Sequence, residues 1–292
     1  MTNDSGAPVR PVDWNSMWTA KARSLRPARL ARIVNSFMGV PGIVGMHGGL
    51  PPADAFPISS ISFGLGPMAG GGVLDISGPK DTVAAQQYCF APSGYEPLRA
   101  RLHALTLAQQ RPQGAVQVNV TCGSTYGLDV VLDLLLERGD PLLLEEYTYS
   151  HALEAQLMPK GFELLPVAMD AQGMLPSALE SLLSRRRAEG LRMPRAMYVI
   201  PSGQNPTGAA MGPARRAEIY EVARRYDLVI VEDDAYSWLQ YPDGEGAVPG
   251  LAGLQRERLA AGAGSRGRHS VEAGVPAAFE CQSPCNSRVL TC

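Results

Sequence analysis

Three short strings carry the residue types that can do chemistry. In T-C-G-S-T-Y-G-L, residues 121–128, a glycine and two hydroxyl residues stand where an apolar run gives way to a helical one. Helix N-termini present free N–H groups and a partial positive charge, so Gly123, Ser124 and Thr125 suit a phosphate. The dipole contributes about 0.3–2 kcal/mol toward an anion. A plain Ser N-cap uses the same letters. In P-S-G-Q-N-P-T-G, residues 201–208, Asn205 offers an amide donor just past an apolar strand. Open α/β sheets bind ligands at that end of their strands, although a turn-rich loop also reads this way. In V-E-D-D-A-Y, residues 231–236, Asp233 and Tyr236 stand three apart after another such strand. A carboxylate there can keep a heterocyclic nitrogen protonated, and a phenol can donate to a ring oxygen. A solvated acidic loop remains the alternative.

The elements that must position these strings alternate. QVNVT (117–121) is a strand leading into a helix from Ser124 to Arg138. PLLLEE (141–146) precedes a helix over His151 to Pro159, and FELLPV (162–167) precedes one over Pro176 to Arg187. AMYVI (196–200) precedes a helix over Pro213 to Tyr226, with Pro at its first turn, where a missing N–H costs nothing. LVIVE (228–232) is the fifth strand. The strands are apolar throughout, as parallel strands buried on both faces are. The βαβα order predicts an α/β doubly wound, mostly parallel sheet. Residues 39–97 are rich in Gly and Pro and read as loops and arms. After Leu254 the hydrophobic period ends, and residues 255–292 read as a disordered tail.

Composition narrows the partners. The formal net charge of −2 gives no reason to expect nucleic acid or an anionic membrane. No apolar run reaches the roughly 20 residues of a spanning helix. The start lacks the apolar core of a secretory signal, which points to the cytoplasm. Lys21 to Arg32 is Arg-rich in the manner of a mitochondrial transit peptide, against which Asp4 and Asp13 argue. Cys89, Cys122, Cys281, Cys285 and Cys292 match no zinc spacing and read as reduced thiols, so no metal is expected. The lysines are Lys21, Lys80 and Lys160, and none follows position 160.

Taken in order, the three strings resemble those of the fold-type I, class I/II aminotransferases, which depend on pyridoxal 5′-phosphate. ARRYDLVIVEDDAYSWLQY, GGLPPADAFP and LPSALESLL are most similar to the kynurenine/2-aminoadipate branch. The resemblance covers residues 20–254. It implies a large cofactor-binding domain over 49–254, with an N-terminal arm over 1–48. It also implies roles. Gly123, Ser124 and Thr125 would cradle the phosphate, and Tyr149 would stack on the pyridine ring. Asn205 and Tyr236 would hold the ring hydroxyl oxygen, and Asp233 would pair with the pyridinium nitrogen. Tyr88 would reach the phosphate of the neighbouring subunit in a homodimer. Arg23 would contact the substrate side chain, and Gly49 would line the carboxylate pocket. The implied reaction transfers the amino group of an aromatic, kynurenine-type or 2-aminoadipate-type amino acid to a 2-oxo acid.

The sequence departs from the family after Leu254. The family's Schiff-base lysine lies downstream of the Asp-x-x-Tyr element, where this chain reads AAGAGSRGRHS. Arginine cannot stand in, because its guanidinium stays charged and is a poor nucleophile. The expectation is a truncated or frameshifted product: no catalytic residue, cofactor held non-covalently at best, and no transamination. The alternative is a non-catalytic subunit that docks on a longer partner. The family's sheet also sets two further strands between the fifth and the first, so an open parallel edge is expected beside LVIVE.

Overall fold

The structure, a computed structural model, describes residues 13–44, 46, 49–88, 91–110, 116–239 and 289–291. The chain divides into two compact units, one of residues 27–95 and one of 1–26 with 96–292. The smaller unit contains helix α3 (Arg29–Phe37), an antiparallel hairpin of β1 (Ile61–Gly64) and β2 (Val73–Ile76), and helix α4 (Pro79–Gln86). The expected loops and arms thus include a hairpin. The turn Gly70-Gly71-Gly72 makes it, all three residues having positive φ.

The larger unit opens with the short helices α1 (Trp14–Met17) and α2 (Ala20–Ser24). Helix α5 (Glu96–Gln110) and helix α6 (Ser124–Leu135) follow. Strand β3 (Pro141–Glu145) leads to a continuous helical stretch made of α7 (Ser150–Ala152), a π-helical turn (Leu153–Leu157) and α8 (Met158–Lys160). Then come β4 (Glu163–Val167), a small ladder of β5 (Met169–Asp170) with β6 (Gly173–Met174), and α9 (Pro176–Ala188). Strand β7 (Ala196–Val199), helix α10 (Pro213–Arg225) and strand β8 (Val229–Glu232) complete the alternation.

The main sheet is parallel, in the order β4-β3-β7-β8-β9, where β9 is Val289–Thr291. Successive side chains of a strand point to opposite faces. Leu143, Met197, Val199 and Ile230 therefore pack under α9 and α10, with Leu179, Leu183, Ile219 and Val222. Leu142, Leu144, Tyr198 and Val231 pack on the other face, with Leu128, Leu132 and Leu135 of α6. Both faces are covered, which is why the strands read as unbroken apolar runs. Pro166 is tolerated because β4 is an edge strand among the described residues, where it pairs with β3.

Two expectations are corrected. QVNVT is not part of any strand among the described residues. The Val118 carbonyl instead accepts from Arg99 Nε at 2.8 Å. Nor is the edge beside β8 open: Ile230, Val231 and Glu232 pair in parallel with Val289, Leu290 and Thr291. Those three residues of the expected disordered tail are thus a strand, since a buried apolar edge strand offers unmade backbone bonds to any segment that reaches it. Residues 255–288 lie outside the described residues, as do Cys89, Cys281, Cys285 and Cys292.

Candidate functional site

The string 121–128 opens α6, 201–208 follows β7, and 231–236 closes β8. Gly123 is the N-cap of α6, with φ +95°, a conformation that L side chains rarely adopt. No side chain caps this helix, and a Cβ on Gly123 would meet nothing within 4 Å. The exposed first turn, Ser124 and Thr125, therefore keeps its N–H donors for an anion. Gln156 locates this turn: from the π-helical segment its buried amide donates to the Thr125 carbonyl at 2.6 Å. Tyr149 is the residue before α7, half-buried, its ring 5.9 Å from that of His151.

The turn that carries Asn205 is held from two sides. Gln204 donates to the Tyr147 carbonyl at 2.5 Å and to Glu145 at 3.3 Å, which ties the turn to the segment before Tyr149. At its base, Arg216 of α10 donates through Nε to the Met211 carbonyl at 2.8 Å. Its other nitrogen reaches the Pro201 carbonyl at 3.1 Å and Ser202 Oγ at 2.9 Å. One buried guanidinium thus joins both ends of the turn, and it lies 3.5 Å from Glu232 at the end of β8. Gly203, with φ +56°, lies flat against Tyr236; a Cβ there would stand 3.2 Å from the tyrosine Cβ. The Asp233 N–H donates to the Val199 carbonyl at 2.9 Å, and its carboxylate accepts the Tyr198 hydroxyl at 2.7 Å. Burial pushes the Asp233 carboxyl above its ordinary range, against the lowering effect of that hydrogen bond. Asp234 is likewise raised by burial, with Ser237, Arg216 and Ser202 opposing.

The aminotransferase class I and II family model matches residues 89–269, more than half of the chain. The chain belongs to the class I and II aminotransferases. It is 34% identical over 263 residues to the aminotransferase swnA of Metarhizium robertsii, covering 84% of this chain and 52% of that protein. It is 36% identical over 150 residues to the mitochondrial kynurenine/alpha-aminoadipate aminotransferase of Bos taurus, covering 49% of this chain and 35% of that one. The solved aminotransferase Aro8 of Candida albicans aligns at a TM-score of 0.74 and 26% identity, over 85% of this chain and 59% of its own. The chain thus spans about half the length of the relatives it matches.

Within this aminotransferase chain Gly123, Ser124 and Thr125 stand at the start of α6, Tyr149 before α7, Asn205 after β7, and Asp233 and Tyr236 after β8. Arg23 lies in α2. Its helix is anchored where α6 ends, through Thr19 N–H to the Leu134 carbonyl at 2.9 Å and Lys21 to Asp133 at 2.6 Å. The Arg23 guanidinium turns back to the Asn15 carbonyl at 3.3 Å. A helix of 12 residues is about 18 Å long, which separates that end from Ser124. Gly49, with φ +56°, and Tyr88, 65% exposed, belong to the other unit. Lys160 bonds Asp129 at 2.8 Å and also pairs with Asp133, and Lys80 stands exposed on α4. Glu145, Gln156, Tyr198, Gln204 and Arg216 were not singled out from the sequence. A signal existed for Glu145, an acid closing an all-apolar strand. Arg216 is one of many arginines, and only its burial distinguishes it.

Proposed function

We propose that this chain holds pyridoxal 5′-phosphate at the carboxyl ends of β3, β7 and β8. The carrying observation is that part-buried hydrogen bonds fix each string to a neighbouring element, Gln156 to the Thr125 carbonyl, Gln204 to the Tyr147 carbonyl and Tyr198 to Asp233, while Gly203 packs on Tyr236. The residues fit the cofactor. The uncapped turn at Gly123, Ser124 and Thr125 takes the phosphate, and Tyr149 lies against the ring. Asn205 and Tyr236 orient the ring oxygen. Asp233 is a carboxyl that burial makes reluctant to ionise, so a cationic ring N–H is the partner that relieves it. Once bound, the cofactor would supply an electron sink at the amino acid's α-carbon. Tyr88 we assign to the phosphate of a second copy in a homodimer, and Gly49 to the carboxylate pocket.

The reaction class we assign is transamination of an aromatic, kynurenine-type or 2-aminoadipate-type amino acid with a 2-oxo acid, on the strength of the names of the bovine relative and of an aromatic amino acid aminotransferase of Dictyostelium discoideum. The 292 residues contain no lysine at these strand ends, so we propose that this chain as it stands holds the cofactor non-covalently and does not itself transaminate. Equilibrium dialysis with pyridoxal phosphate tests the site, and saturable binding that Asp233→Ala weakens is expected. Borohydride treatment followed by peptide mapping tests the second claim. A pyridoxyl group trapped on Lys21, Lys80 or Lys160 would overturn it.

A further inference from the structure

Glu145 closes a strand whose other members, Pro141 to Leu144, are all buried, and it is itself 0% exposed. A single oxygen, Oε2, accepts both the Ile200 N–H at 3.0 Å and the Gln204 amide at 3.3 Å. Oε1 is buried with no hydrogen-bond partner. A buried carboxyl with an orphan oxygen costs free energy that an apolar side chain would not. What it supplies is a fixed acceptor beneath Gln204, and Gln204 is the hub of the turn. The Gln204 Oε1 accepts from Thr207 N at 3.0 Å and Thr207 Oγ1 at 2.7 Å. Its backbone N–H donates to the Ala209 carbonyl at 2.8 Å, and its carbonyl accepts from Gly208 N at 2.5 Å. Asn205 is the next residue in the chain.

We infer that Glu145 is a positioning residue for the cofactor site: its Oε2 fixes Gln204, and through Gln204 the turn that carries Asn205 and the segment before Tyr149. The inference rests on the pyridoxal phosphate reading above. Burial, opposed by the Ile200 and Gln204 hydrogen bonds, pushes the Glu145 carboxyl up to about 7. A proton on Oε1 leaves Oε2 free to accept both donors. Glutamine can present the same carbonyl oxygen to Ile200 and Gln204, whereas leucine presents nothing.

The full chain and its Glu145→Gln, Glu145→Leu and Gln204→Leu variants are compared by equilibrium dialysis with pyridoxal phosphate and by amide hydrogen exchange. Glu145→Gln should bind within about threefold of the unaltered chain, and each leucine variant about tenfold or more weaker. The leucine variants should also speed exchange at Gln204, Thr207 and Gly208 while the amides of α10 stay protected. Gln204→Leu serves if Glu145→Leu does not fold. Unchanged binding and unchanged exchange in the leucine variants would overturn the inference, as would a glutamine variant no better than leucine. If the unaltered chain binds no pyridoxal phosphate, the cofactor reading fails on its own. The exchange at 204–208 then still decides whether Glu145 fixes the turn.

Discussion

Asp233 and Glu145 are both carboxyls raised by burial, yet they face different tasks. Asp233 is half-buried at a strand end, with Tyr198 donating to it. Pyridoxal phosphate affinity should fall as pH drops through the raised Asp233 range, because only the carboxylate attracts a ring cation. Asp233→Asn should weaken binding about ten- to a hundredfold and remove that part of the slope, which dialysis across pH would show. Glu145 is sealed in the core and raised from 4.5 to about 7. Below the lower value both folded and unfolded chains hold its proton. As pH rises through this window the unfolded chain releases that proton first, so the stability it contributes is lost. The loss is roughly 3 kcal/mol by the time pH passes the upper value. Glu145→Gln does not titrate, so its urea stability should gain on that of the unaltered chain by this amount between about pH 4.5 and above pH 7.

At the scale of elements, the turn from Pro201 to Met211 is a loop made rigid by buried groups from its neighbours. Arg216 binds both of its ends and lies beside Glu232. Arg216→Met removes the guanidinium and leaves Glu232 buried beside an apolar chain. Chemical denaturation should show a loss of about 3–5 kcal/mol. Gly203 has two separate needs, the positive φ and the close approach of Tyr236. Gly203→Ala should therefore cost more than the roughly 1 kcal/mol of the backbone term alone, and the same denaturation series would measure it. It should also shift Tyr236, read as weaker cofactor binding.

At the scale of the molecule, a ligand that binds only the folded chain stabilises it by mass action. Pyridoxal phosphate at about 100 times its Kd should raise unfolding free energy by about 2.7 kcal/mol, visible as a rise in Tm. Asp233→Asn, at the same cofactor concentration, should show a smaller rise. Among the described residues no helix is long and apolar enough to cross a membrane. The described part of the larger unit is an α/β sheet clothed on both faces.

Local chemistry was legible in the sequence. The helices at Pro176 and Pro213 start where Pro stands, because first-turn residues act within a few positions, and α6 starts at Ser124 after an uncapped Gly123. The apolar runs of β3, β7 and β8 announced burial on both faces. Sequence could not show which strands pair, since pairing depends on segments remote in the chain. QVNVT has a strand's composition but is not a strand among the described residues, and Val289–Thr291, unremarkable as letters, occupies the edge of β8. Arg23 matched a family position, and only the structure shows its helix anchored beside the C-terminal turn of α6 by Thr19 and Lys21. Glu145 and Arg216 acquire their roles from burial. A charge removed from water must find partners, and only the tertiary structure decides which charges are removed.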